Sequence, residues 1–172
     1  MRKDEQGIQK NRYQVIPRTL VFITKPDTIL LIKGSPKKRI WPNLFNGIGG
    51  HVEDGEDILH AAMREVAEET GLINLNLEFR GTVQISVENE LGISIFVFLG
   101  RYDGGELNSG IEGDLDWIPI NLLNEYPLVP DLNVLIPLVL KEPREFFFGH
   151  YIYRQEDMMM KFYSEDGEII FS

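Results

Sequence analysis

The 172-residue sequence contains no cysteine. That single absence excludes a disulfide framework, a thiolate zinc site and a cysteine nucleophile, and it fits a reducing compartment. Long hydrophobic runs are missing too. The opening MRKDEQGIQKNRYQ has no apolar core, and no stretch approaches the roughly 20 apolar residues of a membrane span. A cytoplasmic protein with no membrane partner is the expectation. Basic residues are few beside acidic ones, 17 Lys and Arg against 27 Asp and Glu, for a net charge of −10. This balance argues against broad electrostatic binding to nucleic acid or anionic lipid. It leaves room for a small phosphorylated ligand where a basic patch or a metal ion screens the repulsion. Repeats and low-complexity linkers are also absent.

What is present is ordinary for a globular chain, with 43% hydrophobic and 26% charged residues. The length suits one domain over residues 1–172, with 1–12 expected to be a flexible N-terminal segment. VIPRTLVFIT (15–24) and TILLIK (28–33), parted by the turn signal KPD, predict a hairpin. A basic loop, GSPKKRIWPN (34–43), leads to a short strand and a Gly-rich turn in LFNGIGGHVED. Further strands are expected at 77–88, 92–103 and 114–120, a second helix at 132–141, and a closing hairpin in the aromatic tail. The tail aromatics are read first as core filling. Strands on both sides of two helices, without regular βα alternation, indicate a mixed sheet sandwiched by helices, an α/β (α+β) class.

The most informative stretch is GGHVEDGEDILHAAMREVAEETGL (49–72), with seven carboxylates. Its second half predicts a helix from about Asp57 to Thr70, with Leu59, Ala62, Met63, Val66 and Thr70 on one arc. Asp57, Arg64, Glu65, Glu68 and Glu69 fall on the other arc, and Gly71 is a natural left-handed stop. Like charges at i, i+3 and i+4 repel, and the C-terminal end of a helix disfavours anions. A cluster placed there needs compensation. Converging carboxylates without His or Cys beside them are hard oxygen ligands suited to Mg²⁺ or Mn²⁺. Gly49 and Gly50 permit close backbone approach, which makes a carbonyl there a further candidate ligand. The fixed fork of Arg64 suits the carboxylate of Glu56 and would tie loop to helix. His51 and His60 flank the stretch without metal-ligand spacing.

Gly50, five residues, Glu56, seven residues, then REVAEETGL (64–72) match G-x5-E-x7-R-E-U-x-E-E-x-G-U at every specified position. On these residues the sequence resembles the Nudix hydrolases. The resemblance implies an α/β/α sandwich and Mg²⁺-dependent hydrolysis of a diphosphate linked to another moiety, with Mn²⁺ as a second candidate ion. Carried over by position, it implies Glu65, Glu68 and Glu69 as metal ligands, with the carbonyl of Gly50. Glu56 and Arg64 become the orienting pair, and Glu65 or Glu68 the acceptor of the water's proton.

FNGIGGHV (45–52), VPDL (129–132) and the tail at 146–166 are similar to the corresponding parts of the oxidised-purine nucleoside triphosphatases, the MutT-like sanitising enzymes. That comparison spans residues 18–165. It implies that Asn46 and Asp131 read a purine, and that Glu112 is a further acid near the metals. Each has a plainer reading: Asn46 as a turn residue, Asp131 as a helix N-cap, Glu112 as a solvated loop acid. Lys33, with Lys37, Lys38 and Arg39, is a candidate phosphate contact. The chain departs from that branch at Val129 and Leu132, where the human-type enzymes carry an aromatic and a second acid. The leading expectation is therefore conversion of a nucleoside triphosphate, with an oxidised purine foremost, to the monophosphate and pyrophosphate. ADP-ribose, another nucleotide sugar or a dinucleoside polyphosphate is the alternative substrate. A non-catalytic nucleotide-sensing module is the alternative of another class.

Overall fold

Period-two alternation in the strands places two helices on opposite faces of one sheet. The computed structural model describes Gly7 and residues 11–88, 91–108, 113–154 and 157–171. Most of the N-terminal segment and Glu112 lie outside the described residues. The elements are β1 (Gln14–Lys25), β2 (Thr28–Gly34), β3 (Phe45–Asn46), α1 (Ile58–Thr70), β4 (Leu77–Glu88), β5 (Leu91–Arg101), β6 (Gly113–Pro119), a 3-10 turn (Ile120–Glu125), α2 (Leu132–Leu140), β7 (Phe147–Arg154), β8 (Asp157–Ser164) and β9 (Ile169–Phe171). The sheet runs β3-β2-β1-β5-β4-β7-β8-β9, with β6 also paired to β2. It is mixed: β1 lies parallel to β5 and β4 parallel to β7, while the other strand pairs are antiparallel.

In β1, Val21 and Ile23 join Ala62 and Val66 of α1 in one apolar cluster. The alternate residues, Leu20 and Phe22, join Leu132, Leu135, Ile136 and Val139 of α2 in the other. Both faces of β1 and β2 are thus covered, which is why those strands read as nearly continuous apolar runs.

The expected hairpin is shorter than its sequence suggests. β1 and β2 pair over three rungs only, from Lys25↔Thr28 to Ile23↔Leu30. Beyond them the strands separate, and the Gly-rich segment enters the fork. Phe45 and Asn46 pair with Lys33 and Ile32 of β2, while Ile48 and His51 bridge to Val21 and Arg18 of β1. This wedge carries the first half of the acidic stretch to the end of α1.

A bulge between Phe79 and Gly81 sets Arg80 outside the β4–β5 register. Its side chain is fully buried, and its guanidinium donates to the carbonyl of Lys141 just past α2 (2.7 Å). Apart from this tether α2 has little local support. It has nine residues, contains Pro137, and has no side-chain hydrogen bond at its N-terminus. A helix this short is marginal alone, so its apolar face must hold it. Replacing the buried Leu135 by Ala is expected to cost about 2–5 kcal/mol, read as a lower midpoint in urea unfolding with the slope unchanged.

Candidate active site

The helix that carries the acids is well terminated. Asp57 Oδ1 accepts the N–H groups of Leu59 and His60, both at 3.0 Å. Gly71 closes the other end at φ 76°, its N–H donating to Ala67. The buried arc, however, is turned relative to the one expected. Leu59 is 43% exposed and Ala61 takes its place inside, while Glu69, expected on the polar arc, is only 5% exposed. The cause is tertiary: the N–H of Gly49 donates to Glu69 Oε2 at 3.0 Å and draws the carboxylate inward.

Arg64 is the hub of the remaining acids. Its Nε and Nη2 donate to the two oxygens of Glu56 at 2.7 and 3.0 Å, a bidentate pair. Nη1 donates to Glu65 at 2.8 Å and to Glu68 at 3.1 Å, and Nη2 also reaches the carbonyl of His51 at 3.0 Å. The hydrogen bonds from Arg64 first, and from the N–H of Glu53 second, hold the Glu56 carboxyl below its ordinary range. The same acids, Glu56 foremost, keep Arg64 firmly protonated. The expected Arg64–Glu56 pair is therefore present, and it extends to two of the three candidate metal ligands.

The two glycines of the wedge do different things. Gly49 has φ 146°, and a Cβ there would press into the carbonyl of Thr19. Gly50 lies under Glu65, so a Cβ there would meet its carboxylate at 2.5 Å. The Gly50 carbonyl, expected as a metal ligand, accepts the N–H of Thr19 at 2.9 Å, so one of its lone pairs is committed to the bridge with β1. Among the described residues no three acids close into a ready cage. Glu65 and Glu68 are drawn to Arg64, and Glu69 to Gly49. The donor set nevertheless fits a hard divalent cation, being carboxylate throughout.

Beside Glu69 a small, open cleft lies under the β2–β3 loop, lined by Lys38, Trp41, Leu44, Asn46 and Gly47 among others. Asn46 thus shares a cleft with one candidate metal ligand, and its Oδ1 accepts the N–H of Gly47 at 2.9 Å. Lys33 is not part of that lining. Its ammonium lies over the Phe45 ring, 5.6 Å from the centroid, beside a neighbouring depression with Gly34, Asn43 and Asp114. Asp131 is also outside the cleft lining. It makes no side-chain N-cap bond; instead it accepts the hydroxyl of the buried Tyr151 at 3.0 Å. Burial pushes the Asp131 carboxyl above its ordinary range, against the opposing effect of that hydrogen bond. Phe45 connects the two candidate base readers through the main chain, bonding Pro127 and Val129 on the way to Asp131. Tyr151 and Trp41 were not singled out from the sequence: one read as tail core, the other as part of a basic turn.

Two expectations follow. Gly49→Ala loses about 2–4 kcal/mol of stability from backbone strain, whereas Gly50→Ala displaces only the end of a flexible side chain and leaves the thermal midpoint nearly unchanged. For Glu56 the folded carboxyl titrates lower than the unfolded one. Its contribution is fully present above the ordinary glutamate value of about 4.3 and is lost as pH falls through the folded value. Glu56→Gln should flatten that acid-side loss in pH-dependent melts.

Residues 15–139 match the NUDIX domain. The oxidized purine nucleoside triphosphate hydrolase of Danio rerio is 30% identical over 145 residues, covering 83% of this chain and 90% of that protein. The Mus musculus enzyme of the same name is 26% identical over 152 residues, covering 84% and 90%. The crystal structure of a MutT protein from Bacillus halodurans superposes with a TM-score of 0.69 at 23% identity, covering 91% of this chain and 95% of that one, a likeness of fold. A bidentate Arg64–Glu56 clasp beside a carboxylate-bearing helix end is thus set in a chain whose greater part matches one domain family, and the protein belongs to the Nudix hydrolases.

Proposed function

We propose that this Nudix hydrolase is a Mg²⁺-dependent nucleoside triphosphate pyrophosphohydrolase, releasing a nucleoside monophosphate and pyrophosphate, with an oxidised purine as the leading base. The observation that carries the reading is the shared cleft, which has both Asn46 and Glu69 in its lining. The Danio rerio and Mus musculus relatives support the choice of substrate.

Glu65, Glu68 and Glu69 are the residues that would hold the divalent ion, with Glu112 as a further acid. A bound ion would supply charge screening at the phosphates and would lower the pKa of an attacking water. Arg64 aims Glu65 and Glu68, and Glu56 fixes Arg64 through two hydrogen bonds. Glu68, the more exposed of that pair, is free to turn from Arg64 and accept the water's proton; Glu65 is the other candidate. Lys38 lines the cleft and is a better placed phosphate partner than Lys33. With Oδ1 occupied by Gly47, Asn46 keeps its NH₂ to donate to a carbonyl at a base edge. Asp131, which accepts the Tyr151 hydroxyl, is assigned to the same base from the α2 face.

A panel of nucleoside triphosphates, ADP-ribose, nucleotide sugars and dinucleoside polyphosphates with Mg²⁺ tests this, with pyrophosphate and phosphate measured separately. Equal yields of monophosphate and pyrophosphate from a purine triphosphate are expected. Glu69→Gln should lower the rate by about 10²-fold or more with the fold retained by circular dichroism. Turnover of a nucleotide sugar or dinucleoside polyphosphate without any triphosphate would remove the substrate assignment. Equal rates for wild type and Glu69→Gln would remove catalysis at this cluster.

A further inference from the structure

The base-stacking aromatic that the sequence lacks at Val129 has no replacement there. Val129 is 6% exposed and packed in the core on the α2 face, so it presents no surface to a ligand. The cleft that holds Asn46 and Glu69 has one large aromatic in its wall, Trp41, and that residue is 43% exposed.

Trp41 is also held in an unfavourable backbone conformation. Its φ is 57°, and Asn43 two residues on has φ 61°. For a bulky side chain the left-handed region is strained, and such strain persists only where surrounding structure enforces it. Here the main chain enforces it. Asn43 N–H donates to Gly34 at 3.0 Å, Gly34 N–H to Leu44 at 3.0 Å, and Leu44 N–H to Trp41 at 3.4 Å. A Cβ on Gly34 would meet the Trp41 carbonyl at 2.8 Å, so the loop folds back this closely because residue 34 is glycine. The main chain at Trp41 is therefore held by its loop, while the residue itself stays well exposed. An exposed aromatic in the wall of a cleft shared with an amide side chain and a candidate metal ligand is the chemistry that recognises a flat heterocycle.

We infer that Trp41 is the stacking platform for the nucleobase of the substrate, and so a specificity-determining residue of this enzyme. The inference rests on the nucleotide reading above. It differs in placing the stacking surface on the β2–β3 loop rather than at position 129, just before Pro130.

The test has a kinetic and a binding arm. Against a purine nucleoside triphosphate, Trp41→Ala raises KM by roughly 10- to 100-fold with a much smaller change in kcat, and Trp41→Phe recovers most of the loss. Trp41→Gly relieves the left-handed strain, so it shows the same rise in KM with a thermal midpoint equal to or above that of wild type. A merely structural Trp41 would instead lower the midpoint and spare KM. In a Trp117→Phe background Trp41 is the sole tryptophan. Its emission should be quenched saturably by GMP with Mg²⁺ and left unchanged by pyrophosphate with Mg²⁺. An unchanged KM in Trp41→Ala, or unchanged emission with millimolar GMP, overturns the inference. If wild type hydrolyses no nucleoside triphosphate, it is the substrate reading that fails, and the GMP titration alone then decides whether Trp41 meets a base.

Discussion

One guanidinium, that of Arg64, organises the acidic end of this molecule. It grips Glu56 with two hydrogen bonds, which fastens the loop before α1 to the middle of the helix. Its Nη1 donates to both Glu65 and Glu68, and its Nη2 also reaches back to the His51 carbonyl in the wedge. A helix end crowded with glutamates is thereby tolerated without a metal, because a permanently charged fork lies among them. The repulsion read from the sequence is real, and this cation offsets part of it. A divalent ion would compete with Arg64 for Glu65 and Glu68. On this account Arg64 is a positioning residue: it acts through the glutamates rather than on the substrate.

The second constraint is the fork between β1 and β2. A hairpin of only three rungs leaves main-chain groups of both strands open, and the segment from Phe45 to His51 satisfies them on both sides. The close approach is possible because Gly49 and Gly50 carry no Cβ. The wedge then delivers three things to one place. Gly49 offers its N–H to Glu69, Gly50 forms a floor beneath Glu65, and Asn46 looks into the cleft. Sheet pairing and site chemistry share the same few residues, so a change at Gly49 acts on fold and site together.

Much of this was legible in the sequence because it follows local rules. Runs such as TILLIK and the aromatic tail marked where most strands lie, though not their order in the sheet, and Asp57 and Gly71 marked the ends of α1 through capping chemistry. The spacing of Gly50, Glu56, Arg64 and the three glutamates pointed to the acidic site and to the Arg64–Glu56 pair. What remained hidden depends on distant partners. The burial of Glu69 needs the N–H of Gly49, twenty residues away. Asp131 looked equally like a helix cap, and only the fold brings Tyr151 to it. Arg80 reads as an ordinary strand residue until a bulge turns it inward. Trp41 sat in a loop whose left-handed turns are not written in any periodicity.

The central claim is that Arg64 and a divalent ion neutralise the same carboxylates. The most direct measurement is the thermal midpoint of wild type and Arg64→Met, each with and without millimolar MgCl₂ at constant ionic strength. The account predicts that Arg64→Met melts several degrees below wild type without metal, and that Mg²⁺ raises the variant's midpoint by more than it raises that of wild type. Equal metal-free midpoints, or a Mg²⁺ response no larger in the variant than in wild type, would contradict it.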